Sequence, residues 1–373
     1  MGIDFLIIGG GIAGASAGYA LAEHGNVTVL EMEDQPGYHS TGRSAAQYVE
    51  LYGNRIVRAL VRLSREFLAS PPDGFTEHPI LSPRGALFVA TEAQQPHIDE
   101  LLAMASAAAY PVEQLDPAGA CAVVPVLRAD AFHTAVFERA SMDIDVHALH
   151  QGYLSELAAR GGTLVVGAEV GSLTRDGGKW RAKTPAEEFT APVVVDAAGA
   201  WADRIAELAG VESVGLTPKR RTVILFDPPK GAEIDAWPLV IDAAEEWYFK
   251  PDAGKILGSP ADETPVEPQD VQAEELDVAL AVDRIERATT MKVESISHRR
   301  AGLRTFAPDK TPVVGFAPGV EGFFWLAGQG GYGIETAPAL ARAAASLIVD
   351  GALPAAFLEE GLEAGDLGPG RLV

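Results

Sequence analysis

The segment Gly9-Gly10-Gly11-Ile12-Ala13-Gly14 constrains the fold of this chain more than any other stretch. It follows a nearly continuous apolar run, Asp4 to Ile8, the pattern of a strand buried on both faces of a parallel sheet. A helix is expected from Ala15 to His24, closed by Gly25, and a second apolar strand, Val27 to Leu30, ends at Glu31. Gly9 permits the tight turn, Gly11 lets backbone approach a pyrophosphate, and Gly14 lets helix and strand pack closely. The helix N-terminus offers free N–H groups and a partial positive charge to that anion. Glu31, 17 residues beyond Gly14, can accept from adenosine ribose hydroxyls, and its charge would repel the 2′-phosphate of NADP. Strand, turn, helix, strand and acid in this order predict a dinucleotide-binding unit. The fingerprint alone does not separate NAD from FAD.

Pieces of the same unit recur downstream. Thr163 to Val170 reads as a strand, followed by a hairpin at Asp176-Gly177-Gly178. A buried strand ending at Asp196 then runs into a turn at Gly199 and a helix through Gly210. Phe323 to Ala327 forms a third buried strand, leading into Gly328-Gln329-Gly330-Gly331-Tyr332-Gly333 and an Ala-rich helix to Val349. This second glycine turn favours a flavin. A helix N-terminus at the flavin N1–C2=O edge stabilises the negative charge that develops on reduction, whereas NAD has little use for it.

Between these pieces the pattern changes. Residues 81–139 read as short strands and helices with Pro-rich joints, and 216–297 alternate apolar and polar as in an antiparallel sheet. The small, hydroxyl-rich loop from Pro36 to Tyr48 can lay N–H groups and one cation, Arg43, against a phosphate or a ring edge. Helices are expected over 54–69 and, with Asp145 as N-cap, through Ala159. His147 and His150 lie three apart there, but no third ligand is near in sequence, so they are read as structural and no metal site is expected. The expected architecture is α/β plus α+β: a Rossmann-like, glutathione-reductase-type FAD-binding domain with an interleaved substrate domain on a mixed or antiparallel sheet. The first would comprise residues 1–80, 143–212 and 300–373, and the second 81–142 and 213–299.

Composition narrows the partners. With 29 basic against 52 acidic side chains the net charge is −23, which excludes a nucleic-acid binder and docking on anionic lipid. The single cysteine, Cys121, excludes an internal disulfide. The first residues lack the basic region of a signal peptide, and the apolar stretch near the C-terminus is broken by Arg342, so no transmembrane segment and a cytoplasmic location are expected.

The stretches Gln35 to Ala46, Pro218-Lys219-Arg220-Arg221, Ala301-Gly302-Leu303-Arg304 and Gln329 to Gly333 are far more specific than the first turn. On them the whole chain resembles the FAD-dependent D-amino acid oxidase and glycine/sarcosine oxidase superfamily, with bacterial D-arginine dehydrogenases as the nearest likeness. The resemblance implies hydride transfer from a D-amino acid Cα to flavin N5, giving an imine that water hydrolyses to a 2-oxo acid and ammonia. It implies cofactor contacts from Gly9, Gly11 to Gly14 (Ile12 and Ala13 included), Glu31, Thr41, Gly42, Arg43, Ser44, Ala45 and Ala46. Further contacts would come from Val170, Ala198, Gly199, Trp201, Gly302, Gly328 and the run Gly330 to Ile334. Arg221 and Arg304 would clamp the substrate carboxylate, Tyr52 and Tyr248 would touch substrate, and the Gly331 carbonyl would accept from the amine. Tyr332 would stand beside them.

Departures from the dehydrogenase pattern bear on specificity. Ala86 replaces a glutamate that holds a distal guanidinium, Gln47 replaces a histidine, and Val49 a threonine. A cationic side chain without its desolvated partner loses several kcal/mol, so neutral or apolar D-amino acids are expected, although Glu335 could restore a negative group. Ile256 occupies the position of a lysine that promotes reaction with oxygen in sarcosine-oxidase-like members, and Lys255 should point to the opposite strand face. A dehydrogenase with non-covalent FAD and an acceptor such as a quinone or dye is therefore expected, with O2 as the alternative. A glycine/sarcosine-type amine oxidase, a 2-hydroxy acid dehydrogenase and a non-catalytic flavoprotein are the competing readings.

Overall fold

The computed structural model describes residues 2–373. Its first sheet has six strands in the order 313–316, 323–327, 193–196, 5–8, 27–30, 163–165. All neighbours are parallel except the antiparallel edge pair of Val313–Phe316 with Phe323–Ala327. Alternation sorts the side chains to two faces. Ile7 and Val29 pack with Leu21, Leu60 and Leu340 under the helices Ile12–Leu21, Arg55–Ala69 and Gly333–Val349. Leu6, Ile8 and Leu30 pack on the other face with Trp180, Ile205 and Trp325. That face is covered by the three-stranded sheet 172–191 and the helix Ala202–Ala209, whose C-cap, Gly210, is left-handed at φ 66°.

The capping residues explain the helix starts. Asn54 accepts from the Val57 N–H, and Asp145 accepts from the Ala148 N–H to open the helix Val146–Ala159. Two boundaries differ from the sequence reading. The first helix begins at Ile12 and ends at Leu21, because Gly11 already serves as its N-cap. The strand expected over 163–170 stops at Val165, and the chain beyond it follows the rim of a cleft.

A second, larger sheet runs in the order 329–330, 296–306, 217–226, 255–259, 248–252, 239–242, 86–90, 134–138, 113–115, with 264–265 paired to 217–226. It is mixed, since Leu239–Asp242 runs parallel to Ala86–Ala90, and a helix, Glu275–Ala288, interrupts the segment read as all sheet. Its strand Gln329–Gly330 comes straight from the first sheet, so the second glycine turn joins the two. A small sheet, 47–48 with 142–144 and 81–83, forms a further link. Among the described residues no helix is long and apolar enough to cross a membrane.

Candidate functional site

One long cleft lies where the C-terminal ends of the parallel strands meet the large sheet, the usual position for a ligand on an open α/β sheet. Gly9, Gly11, Ile12, Ala13 and Glu31 line one part, and Thr41, Arg43, Ser44 and Ala45 another. Val170, Ala198, Gly199 and Trp201 close the outer end; Gly302, Gly330, Gly331, Gly333 and Ile334 line the inner end with Arg221, Tyr248 and Arg304. Gly14, Gly42, Ala46, Gly328 and Tyr332 are not among the cleft's lining residues.

The first turn is built for close approach. A Cβ on Gly9 would sit 2.4 Å from the Ala197 carbonyl oxygen, and one on Gly14 would sit 1.8 Å from that of Gly9. A Cβ on Gly11 would meet only Thr41 Oγ1, at 3.2 Å, because Gly11 faces the cleft. Thr41 Oγ1 accepts from the Ile12 N–H, and Glu31 accepts from the N–H groups of Gly10 and Glu33. With Glu31 and Thr41 holding these N–H groups, the turn is set so that Gly11, at the helix start on the cleft wall, can present its N–H to a dinucleotide pyrophosphate.

At the inner end, strands Thr217–Phe226 and Ile296–Phe306 place Arg221 opposite Gly302 and Lys219 opposite Arg304. Arg221 and Arg304 are therefore diagonal neighbours on one face. Arg220 points to the other face, where Asp277, at 2.8 Å, and Glu274 pair with it. Arg221 donates to the Asp262 carbonyl and to Glu263, and Arg304 donates to the Tyr52 hydroxyl at 3.3 Å. Tyr52 in turn donates to Glu245, and burial pushes its phenol up to about 12, so it stays protonated. The Tyr248 hydroxyl is buried without a partner among the described residues, which leaves it available to a ligand in the cleft.

Three of the expected positions have other partners in the structure. The Arg43 guanidinium, on the cleft wall, binds the Val271 and Ala301 carbonyls and Asp270, tying the loop to the large sheet. Glu335 is not among the cleft-lining residues; it is buried, accepts from the Val49 N–H, and burial holds its pKa well above the ordinary carboxylate value. Ile256 packs in the core with Phe226 and Ile285 on the far face of its strand, while Lys255 pairs with Asp227 near the surface. A near-face lysine that the sequence reading missed is Lys250. It is buried, donating to Asp143 at 2.7 Å and to the Ala46 carbonyl.

Gln47, Val49, Ala86 and Tyr52 gather behind the inner wall. Gln47 donates to the Gly85 carbonyl and Ser141, while Val49 and Ala86 share an apolar cluster that Tyr52 packs against. Glu138 stands directly across from Ala86, fully buried, accepting from the Glu50 N–H and the Tyr110 hydroxyl. Burial raises its pKa to about 7. Because the folded-state value lies above the unfolded one, this group favours folding at acid pH, and its contribution is lost as pH rises through about 7. Glu335 and Asp196 shift in the same direction through burial. The thermal midpoint is therefore expected to fall between about pH 5 and 7, with a shallower slope in Glu138→Gln; an unchanged slope would show Glu138 ionised throughout.

Sequence reasoning also missed part of the outer end. His39 lies 4.7 Å from the Trp201 ring and pairs with Glu33 at 2.8 Å, and Arg204 and Glu169 line the same region. His39 sat inside a motif already singled out, whereas nothing around Glu169 marks it.

Comparison with known proteins agrees with this geometry. The sequence profile of the DAO family, FAD dependent oxidoreductase, matches residues 4–347. The chain belongs to the DAO family. This DAO-family protein is 25% identical over 363 residues to the uncharacterized oxidoreductase YurR of Bacillus subtilis, covering 93% of this chain and 95% of YurR. It is 24% identical over 389 residues to mitochondrial dimethylglycine dehydrogenase of Rattus norvegicus, covering 95% of this chain but only 44% of that longer protein. The L-proline dehydrogenase structure from P. horikoshii superposes with a TM-score of 0.83 at 20% identity, covering 96% of this chain and 98% of the other. The fold is that of the DAO flavoenzymes, and the cofactor of this DAO-family oxidoreductase is FAD.

Proposed function

We propose that the protein oxidises the C–N bond of a D-amino acid with a neutral or apolar side chain, releasing a 2-oxo acid and ammonia. The observation that carries this reading is the diagonal Arg221–Arg304 pair beside the unpartnered Tyr248 hydroxyl at the inner end of an FAD cleft. Two planar guanidinium forks on one face suit a carboxylate, and a purely structural flavin would need neither. Dimethylglycine dehydrogenase and L-proline dehydrogenase are named for carboxylate-bearing amines, which supports an amine substrate.

Bound FAD supplies the acceptor for the hydride that leaves the substrate Cα. The protein's own part is positional: Arg304 and Arg221 would hold the carboxylate, Tyr52 and Tyr248 would flank it, and the Gly331 carbonyl would accept a hydrogen bond from the amine. Loss of an amine proton to water and of the Cα hydride to the flavin would leave a C=N bond, which water cleaves.

The side-chain preference rests on Ala86, with Glu138 and Glu335 buried and already hydrogen-bonded. Neither acid offers a free charge to a guanidinium. Among the described residues no lysine lines the cleft, and the Lys250 ammonium is engaged by Asp143, which supports a dehydrogenase using a quinone-like acceptor. Cys121 donates to the Leu127 carbonyl and packs against the core of the large sheet, in keeping with non-covalent FAD. A steady-state comparison decides the preference: kcat/KM for D-methionine or D-phenylalanine should exceed that for D-arginine. A clear D-arginine preference overturns it, and preference for dimethylglycine or sarcosine would favour an N-methyl amine, the second reading that the rat relative supports.

A further inference from the structure

His150 is buried in the protein, on the helix Val146–Ala159 that packs against the helix following the first glycine turn. Its Nε2 lies 2.9 Å from the Gly10 carbonyl oxygen. A carbonyl can only accept, so Nε2 carries the proton and donates. His147, three residues earlier, is more exposed and takes no part.

The consequence lies in one peptide group. Every peptide bond among the described residues is trans, so the Gly10 carbonyl and the Gly11 N–H point in opposite directions from the same rigid plane. Gly11 lines the cleft, whereas Gly10 does not. Anchoring the carbonyl from behind therefore fixes the Gly11 N–H toward the cleft. The other side of Gly10 is held as well, since its own N–H donates to Glu31 at 2.8 Å. His150 also supports the second loop: a Cβ on Gly37 would lie 3.0 Å from its Cε1, and the Gly37 carbonyl accepts from the Gly42 N–H.

We propose that His150 is a positioning residue for FAD, holding the Gly10–Gly11 peptide so that its N–H is aimed at the pyrophosphate before the cofactor arrives. Preorganisation of this kind lowers the cost of binding, because the turn need not be ordered by the ligand. Without the imidazole donor the Gly10 carbonyl is buried and unsatisfied, and the peptide is free to rotate. Burial depresses the His150 pKa, so the ring stays neutral, with its single proton on Nε2.

The test uses holoenzyme variants and follows FAD release on dilution by the fluorescence of the freed flavin. His150→Leu, which keeps volume but removes the donor, should release FAD about tenfold faster. His150→Gln, which can still donate, should recover most of the difference. An unchanged release rate, or a glutamine variant that releases FAD as fast as the leucine variant, would each overturn the proposal. Should the leucine variant fail to fold, nitrogen NMR of the wild-type imidazole decides: the Nε2-protonated tautomer is required, and Nδ1 protonation contradicts it.

Discussion

Replacement of Arg304 by alanine is expected to lower kcat/KM roughly a hundredfold to a thousandfold while leaving FAD bound. Removing one partner of a desolvated charge pair costs about 2–5 kcal/mol, and each 1.4 kcal/mol is about tenfold. Arg304 is held by the Tyr52 hydroxyl and lies on the cleft wall, with no carboxylate hydrogen-bonded to it among the described residues. A substrate carboxylate is the partner proposed for it. Arg221 differs, because the Asp262 carbonyl and Glu263 already occupy part of its fork. Arg221→Ala should therefore cost less, about tenfold. Arg304→Lys should restore little, since an ammonium cannot reproduce the two parallel hydrogen bonds. Steady-state kinetics with D-methionine, alongside the flavin spectrum of each purified variant, checks these expectations. Near-normal turnover by Arg304→Ala would remove the carboxylate clamp from the account.

The second large effect concerns the cofactor. Gly14→Ala places a Cβ 1.8 Å from the Gly9 carbonyl oxygen, so helix and turn must separate. Overpacking of this kind costs about 1–3 kcal/mol or more, and here the displaced atoms belong to the pyrophosphate turn itself. The variant should purify without FAD and with a lowered thermal midpoint. Gly331→Ala offers a contrast, because its Cβ meets the flexible end of Arg304 at 2.8 Å. That variant should keep FAD and show a raised KM. Absorbance ratios of the purified proteins separate the two outcomes, and a flavin-replete Gly14→Ala would contradict the close-packing role given to this glycine.

What the sequence revealed of this site follows from chain distance. Gly9, Gly11, Gly14 and Glu31 were legible because the strand, turn, helix and strand they serve are contiguous. Gly330 and Gly331 were legible for the same reason at the second turn. Arg221 and Arg304 could be paired only through motif resemblance, since the antiparallel register that brings them together spans distant segments. Lys250 and Glu138 escaped notice because their partners lie far along the chain. Lys250 reaches Ala46 across 204 positions, and Glu138 reaches Glu50 across 88. No local pattern announces such a contact. The protein partners of Arg43 and Glu335, Asp270 and the Val49 N–H, were not legible either, because they lie 227 and 286 positions away. The stretch from Thr163 to Val170 failed as one long strand for a simpler reason. Gly167 adopts φ 62°, which breaks extended backbone, and Val165 is the last residue paired.

The net charge of −23 makes local positive potential decisive, because the FAD pyrophosphate and an amino-acid carboxylate are both anions. The helix starts at Ile12 and Gly333 and the Arg221–Arg304 pair provide it within the cleft. Anaerobic mixing of the holoenzyme with single amino acids, followed through the visible absorbance of oxidised flavin, tests the central claim most directly. D-Methionine is expected to bleach the flavin rapidly and L-methionine not at all. Bleaching by the L-enantiomer, or by no amino acid at all, would contradict it.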